Sequence, residues 1–182
     1  MKSIPHIIPT GCLATEWLED GGKWYYLDPK TGAMQVGWVK WRNRYYYLNP
    51  HGDMQEEGWA KINGKWYYMR TGGAVVTGWY QIGGKWYYFT PSCEMGTGWQ
   101  QVKNDWYYFD SNGAQKTGWQ SIGGSWYYYD SKGRMQTGWL KDKGSWYYLD
   151  GNGKMATGWQ EIDGKWEEFS DKGIWIGTWD GN

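Results

Sequence analysis

Residues 58–69 read Gly-Trp-Ala-Lys-Ile-Asn-Gly-Lys-Trp-Tyr-Tyr-Met, two short β-prone runs on either side of Asn63-Gly64. Asn-Gly is the pair that two-residue type I′ hairpin turns favour, because both central positions need positive φ. A turn of two residues fixes the register, so Ile62 faces Lys65, Lys61 faces Trp66, Ala60 faces Tyr67 and Trp59 faces Tyr68. Side chains alternate along a strand, which places Trp59, Trp66 and Tyr68 on one face and Ile62 and Tyr67 on the other. An isolated hairpin of this size is marginal in water and has to bury its rings against a neighbour.

The neighbour is a copy of the same unit. A Trp recurs at Trp17, Trp38, Trp59, Trp79, Trp99, Trp119, Trp139, Trp159 and Trp179, at spacings of 21, 21 and then 20 residues. Seven residues after each of the first eight stands a second aromatic: Trp24, Tyr45, Trp66, Trp86, Trp106, Trp126, Trp146 and Trp166. Turn pairs equivalent to Asn63-Gly64 recur between them, as at Gly83-Gly84 and Gly123-Gly124. Four-residue turns such as Asp110-Ser111-Asn112-Gly113 join one unit to the next. A period of this regularity predicts an all-β chain, a β-solenoid of tandem hairpin repeats of about 20 residues over 15–179, with eight hairpins and a terminal half-repeat. Residues 1–14 read as an irregular leader or linker remnant.

Composition narrows the function. The 182 residues hold 18 Trp and 17 Tyr against 3 Phe, so the repeat consumes rings. Nineteen Lys and Arg balance 19 Asp and Glu, leaving no net field to attract nucleic acid. No stretch has the length and apolarity of a transmembrane helix. Cys12 and Cys93 form no disulfide framework and are expected to be unpaired. Two histidines, His6 and His51, lack a recurring partner, so no catalytic constellation is visible and the chain is read as non-enzymatic. Turns such as Asp150-Gly151-Asn152-Gly153 lack the downstream Glu of a calcium loop, and neither a metal nor a cofactor is expected.

Two rings at fixed separation and a third from the next unit form a three-sided box. A box made only for packing would admit Leu or Phe, and neither occurs at these positions. A ring-walled box with no fixed carboxylate suits a quaternary ammonium, which cannot donate N–H bonds and is held by ring quadrupoles and methyl contacts. Met34, Met54, Met95, Met135 and Met155 stand just before the next repeat Trp, where a thioether floors the box; Val75 and Gln115 replace it in two units. Tyr68, Tyr88, Tyr108, Tyr128 and Tyr148 share the ring face of their hairpins. A carbohydrate-binding repeat is the alternative, but the residues after the repeat Trp, among them Val39, Ala60, Tyr80 and Gln100, vary too much to form fixed hydrogen-bond partners.

Units such as TGWQSIGGSWYYYDSKGRMQ (residues 117–136) and TGWLKDKGSWYYLDGNGKMA (137–156) resemble the choline-binding repeats of pneumococcal surface proteins, autolysins and phage lysins. The resemblance covers residues 15 to 179. It implies a left-handed superhelix and an extracellular module that docks onto choline or phosphocholine on teichoic and lipoteichoic acids. Each site would lie between consecutive hairpins. By position the boxes would be Trp59, Trp66 and Trp79; Trp79, Trp86 and Trp99; Trp119, Trp126, Met135 and Trp139; and Trp139, Trp146, Met155 and Trp159, with Trp17, Trp24, Trp38, Tyr45 and Trp106 serving likewise. Trp166 is followed by Glu167-Glu168 in place of two Tyr, and Trp175 takes a Met position, so the resemblance implies a terminal cap or a homodimer contact there.

Overall fold

The Gly-Trp runs and aromatic-Tyr-Tyr runs pair as the turn chemistry dictates. The computed structural model describes residues 15–179, so the leader, His6 and Cys12 lie outside the described residues. Eight antiparallel hairpins follow one another. They are β1 with β2 (Glu16–Asp20, Lys23–Leu27), β3 with β4 (Gly37–Trp41, Arg44–Leu48), β5 with β6 (Gly58–Ile62, Lys65–Met69) and β7 with β8 (Gly78–Ile82, Lys85–Phe89). Then come β9 with β10 (Gly98–Val102, Asp105–Phe109), β11 with β12 (Gly118–Ile122, Ser125–Tyr129), β13 with β14 (Gly138–Asp142, Ser145–Leu149) and β15 with β16 (Gly158–Ile162, Lys165–Phe169). A final strand, β17 (Trp175–Trp179), adds to β16 and makes the last sheet three-stranded. Among the described residues there is no helix.

The register in β5–β6 is the expected one, with Ile62 opposite Lys65 and Trp59 opposite Tyr68. Asn63 and Gly64 both have positive φ, at 49° and 82°, the type I′ requirement. The joining turns are closed by side chains: Asp150 Oδ1 accepts the N–H groups of Asn152 and Lys154 at 2.8 and 2.9 Å, and Asp110 and Asp130 do the same in their turns. The chain falls into two units, one running up to Gln81 and including Tyr88–Met95, the other comprising Ile82–Tyr87 and Gly96 onward.

The core is narrower than the abundance of rings suggests. One residue per hairpin, the last of its second strand, is almost wholly buried: Leu27, Leu48, Met69, Phe89, Phe109, Tyr129, Leu149 and Phe169. Most of these also bridge to the residue at the methionine position of the following loop, as Leu48 to Met54, Tyr129 to Met135 and Leu149 to Met155. That contact folds the loop back over its own hairpin. The repeat tryptophans stay at the edge of this core, and Trp38, Trp59, Trp139 and Trp159 are all exposed.

Candidate functional site

In the hairpins before the last, the first Trp packs against the Tyr directly across the ladder, edge-on in most and tilted at Trp79–Tyr88; in the last hairpin Trp159 faces Glu168. Trp59–Tyr68, Trp79–Tyr88, Trp99–Tyr108, Trp119–Tyr128 and Trp139–Tyr148 all lie at 5.1–5.3 Å between ring centroids. Tyr68, Tyr88, Tyr108, Tyr128 and Tyr148 thus buttress the first ring from their own hairpin. The second ring stands perpendicular to the first: Trp59–Trp66, Trp99–Trp106 and Trp139–Trp146 each lie at 6.3 Å with interplanar angles of 82–90°. Two walls of a box are therefore built inside one hairpin.

The third wall comes from the next hairpin, but it is not the next repeat Trp. It is the middle aromatic of the next second strand: Tyr46 against Trp17, Tyr67 against Trp38, Tyr127 against Trp99 and Tyr147 against Trp119, all at 4.8–4.9 Å. This Tyr points to the opposite face of its own strand from the Trp pair, so stacking one hairpin's Trp face on the next hairpin's second face brings it over the box. The methionine also belongs to the following unit. The Met155 N–H donates to the Trp126 carbonyl at 2.8 Å, Met135 to Trp106 at 2.8 Å, Met95 to Trp66 at 2.8 Å and Met54 to Trp24 at 2.7 Å.

The resulting groupings differ from those expected by position. Trp119 and Trp126 meet Tyr147 and Met155 around an open-sided cavity of about 380 Å³, with Asp171 and Lys172 at its rim. Met135 and Trp139 are not part of it. Met135 instead joins Trp99, Trp106 and Tyr127 around about 310 Å³, rimmed by Gly151 and Asn152. Trp17, Trp24, Tyr46 and Met54 line a third cavity of about 490 Å³ with Trp41 and Glu16. Met155 lines the Trp119/Trp126 cavity, and at the next junction Trp139 packs against Trp175 at 6.0 Å and Phe169 at 5.7 Å. There the third-ring position is Glu167, buried and accepting bonds from Trp175 Nε1 at 2.7 Å and Thr178 Oγ1 at 2.8 Å. Trp159 stands exposed on the last hairpin.

The signal for Tyr46, Tyr127 and Tyr147 lies in the alternation of each strand, which sets them on the face that the preceding hairpin's Trp meets. Met34 packs on Gly52, as Met54, Met135 and Met155 pack on Gly73, Gly153 and Gly173. Trp86 carries Gln115 on its carbonyl at 2.9 Å, where other units carry Met. Tyr45, Trp66 and Trp146 have a lysine ammonium of their own hairpin over the ring, Lys40, Lys61 and Lys141 at 5.4–5.8 Å. In the three boxes above, that cross-strand position holds Glu19, Gln101 or Ser121. The Trp119 ring is further fixed by Nε1 donating to Asp142 Oδ2 at 3.1 Å.

The polar groups a sugar would use are committed locally. Gln100, Gln120 and Gln160, which follow the repeat Trp, donate to the carbonyls of Thr97, Thr117 and Thr157 at 2.8–3.0 Å.

Sequence families match most of the chain. The choline-binding repeat covers residues 56–95 and 116–157, and the putative cell wall binding repeat covers 15–34, 36–54 and 97–114. A comparison with curated proteins returned no match. Among solved structures, CbpJ from Streptococcus pneumoniae is 40% identical with a TM-score of 0.86, over 94% of this chain and 61% of that one. CbpF, solved in complex with ipratropium, is 34% identical with a TM-score of 0.80, over 92% and 60%. The choline-binding domain of CbpL from Streptococcus pneumoniae is 29% identical with a TM-score of 0.66, over 90% and 87%. The chain thus spans about three-fifths of the CbpJ and CbpF chains. With family models matching most of its repeats and a related structure covering 94% of it, this chain belongs to the choline-binding repeat family.

Proposed function

We propose that the chain is a non-catalytic module that captures choline, or phosphocholine, displayed on teichoic and lipoteichoic acids, and so anchors an attached domain or surface protein at the bacterial cell wall. The observation that carries this reading is the box itself: three rings and a thioether around an open cavity, repeated at Trp17/Trp24/Tyr46/Met54, Trp99/Trp106/Tyr127/Met135 and Trp119/Trp126/Tyr147/Met155. A trimethylammonium group offers no N–H to bond, so ring faces and a polarizable sulfur are the partners that suit it. Ipratropium, bound by the related CbpF, carries a quaternary ammonium of its own.

One such cage is worth roughly 4 kcal/mol, a millimolar affinity. Several cages meeting one polymer raise avidity by about 10² to 10⁴, because each further choline arrives at high effective concentration. Binding is then tight to the wall and reversible by free choline. The three cages without an internal lysine over the second ring fill first in this account.

The test is a titration followed by tryptophan fluorescence, with choline, its uncharged isostere 3,3-dimethylbutan-1-ol and a maltooligosaccharide. Saturable millimolar quenching by choline, much weaker with the isostere and absent with the sugar, is the expected pattern. Equal responses to choline and the isostere would remove the charge from the account, and a response to the sugar alone would move the chain to the carbohydrate class.

A further inference from the structure

Two successive units depart from the repeat around one cavity. Second-ring positions are Trp except at Tyr45, and methionine-loop positions are Met except at Val75 and Gln115 among the hairpin junctions. The first residue of the joining turn is Asp28, Asn49, Asp110, Asp130 or Asp150 in five units and Thr90 or Ser170 in two more, all short polar groups that close the turn; after β6 it is Arg70. The residue opening the second strand is basic in several units, and its partner precedes the methionine position of the next unit: Lys23 pairs with Asp53 at 3.3 Å and Lys65 with Glu94 at 2.5 Å. For Arg44 that partner position is Ala74.

Among the described residues neither Arg44 nor Arg70 has an ion pair, and both line a cavity of about 450 Å³ with Tyr45, Tyr80, Thr77 and Asn43. No carboxylate among the described residues lines this cavity; Glu94 pairs with Lys65, and Glu57 accepts from the Thr71 hydroxyl at 2.7 Å. The Val75 N–H donates to the Tyr45 carbonyl at 2.9 Å, which fixes the loop bearing Arg70 against the strand bearing Arg44.

We infer that this cavity is an anion site for the phosphate ester of a polyol or sugar, distinct from the cation cages. An unpaired guanidinium beside aromatic walls recognises oxyanions by charge-assisted forked hydrogen bonds. One arginine satisfies a carboxylate through a single fork. Two arginines from separate elements suit a phosphate, whose oxygens point in more than one direction. The cavity exceeds a bare phosphate, and the Tyr45 and Tyr80 rings with the Thr77 hydroxyl and Asn43 amide supply stacking and hydrogen bonds for the attached carbon chain. The site stands whether or not the cages hold choline.

The experiment is calorimetric titration of the full chain, its cages saturated with choline, with glycerol 3-phosphate, inorganic phosphate, glycerol and acetate. Glycerol 3-phosphate is expected to bind saturably and better than inorganic phosphate, with glycerol and acetate inert. In an Arg44→Gln/Arg70→Gln variant that binding weakens about tenfold or more, while the choline titration is unchanged and reports an intact fold. On the unaltered chain, nuclear magnetic resonance must show the Arg44 and Arg70 Nε–H signals shifting with glycerol 3-phosphate. No saturable binding at millimolar concentration, acetate binding equally, or shifts confined to tryptophan indoles would overturn the assignment; a missing choline response would instead count against the cages.

Discussion

Tyr147 closes the box over Trp119 at 4.8 Å, whereas Trp139, three positions away from Asp142, turns its ring toward Phe169 and Trp175. The choice between them is testable: Tyr147→Leu should remove one choline from the calorimetric stoichiometry, with the remaining sites unaltered. A stoichiometry equal to that of the unaltered chain would show that the third wall lies elsewhere. Tyr129 presents a different residue-scale problem. It takes the position held by Phe89, Phe109 and Phe169 in other hairpins, and its hydroxyl is buried with no hydrogen-bond partner among the described residues. Burial also pushes its ionisation well above the usual tyrosine range. An unpaired buried hydroxyl costs about 1 kcal/mol or more, so Tyr129→Phe should raise the melting temperature in a thermal scan. Of the residues that form the cages, Trp17, Trp24, Trp99, Trp106, Trp119 and Trp126 were legible from spacing alone. The third-wall tyrosines were not, because a position-by-position reading stays within one face and the wall comes from the opposite face of another strand.

At the scale of the hairpin and its turns, strand ends, register and turn type all followed from two-residue turns, since no competing pairing keeps the Trp on one face. What was hidden was how a loop reaches the next unit. Met135 lies against the turn glycine of the next unit, where a Cβ at Gly153 would sit 2.5 Å from its Sδ. In one unit both partners change: Val75 replaces the Met, and Cys93, buried with φ of 67°, replaces the Gly. The two share a core cluster, so the shorter side chain leaves room for the thiol. Val75→Met alone should destabilise by about 1–3 kcal/mol through overpacking, and Cys93→Gly added to it should restore much of that loss, giving a coupling in a double-mutant cycle of denaturation midpoints. The Asp turns carry their own signature. Burial alone would raise the Asp130 pKa, but the Arg134 N–H and guanidinium and the Lys132 N–H outweigh it and hold the carboxyl below its usual range. A carboxyl depressed in the folded state stabilises above its unfolded value of about 3.9 and loses that contribution as the pH falls through the folded one. The melting temperature should therefore drop on acidification below about pH 4, and Asp130→Asn should flatten that drop.

Across the whole chain the repeat serves two ends with one set of rings. The last residue of each second strand is the core, and the Trp pairs are left at its edge as walls, which is why a chain so poor in aliphatics still folds and still presents cavities. The spacing of Trp and Tyr announces this architecture, but it does not announce which junctions are open. The junctions differ through substitutions outside the aromatic series: Lys61 and Lys141 set over rings, Glu167 and Trp175 filling the last junction, Arg44 and Arg70 lining a cavity of their own. The most direct test is the electron density of a crystal soaked in choline. A trimethylammonium enclosed by Trp119, Trp126 and Tyr147 with the Met155 sulfur beneath it is expected, with its equivalent at Trp99, Trp106, Tyr127 and Met135. Density for choline between Trp119, Trp126 and Trp139, or none in these boxes at saturating concentration, would contradict it.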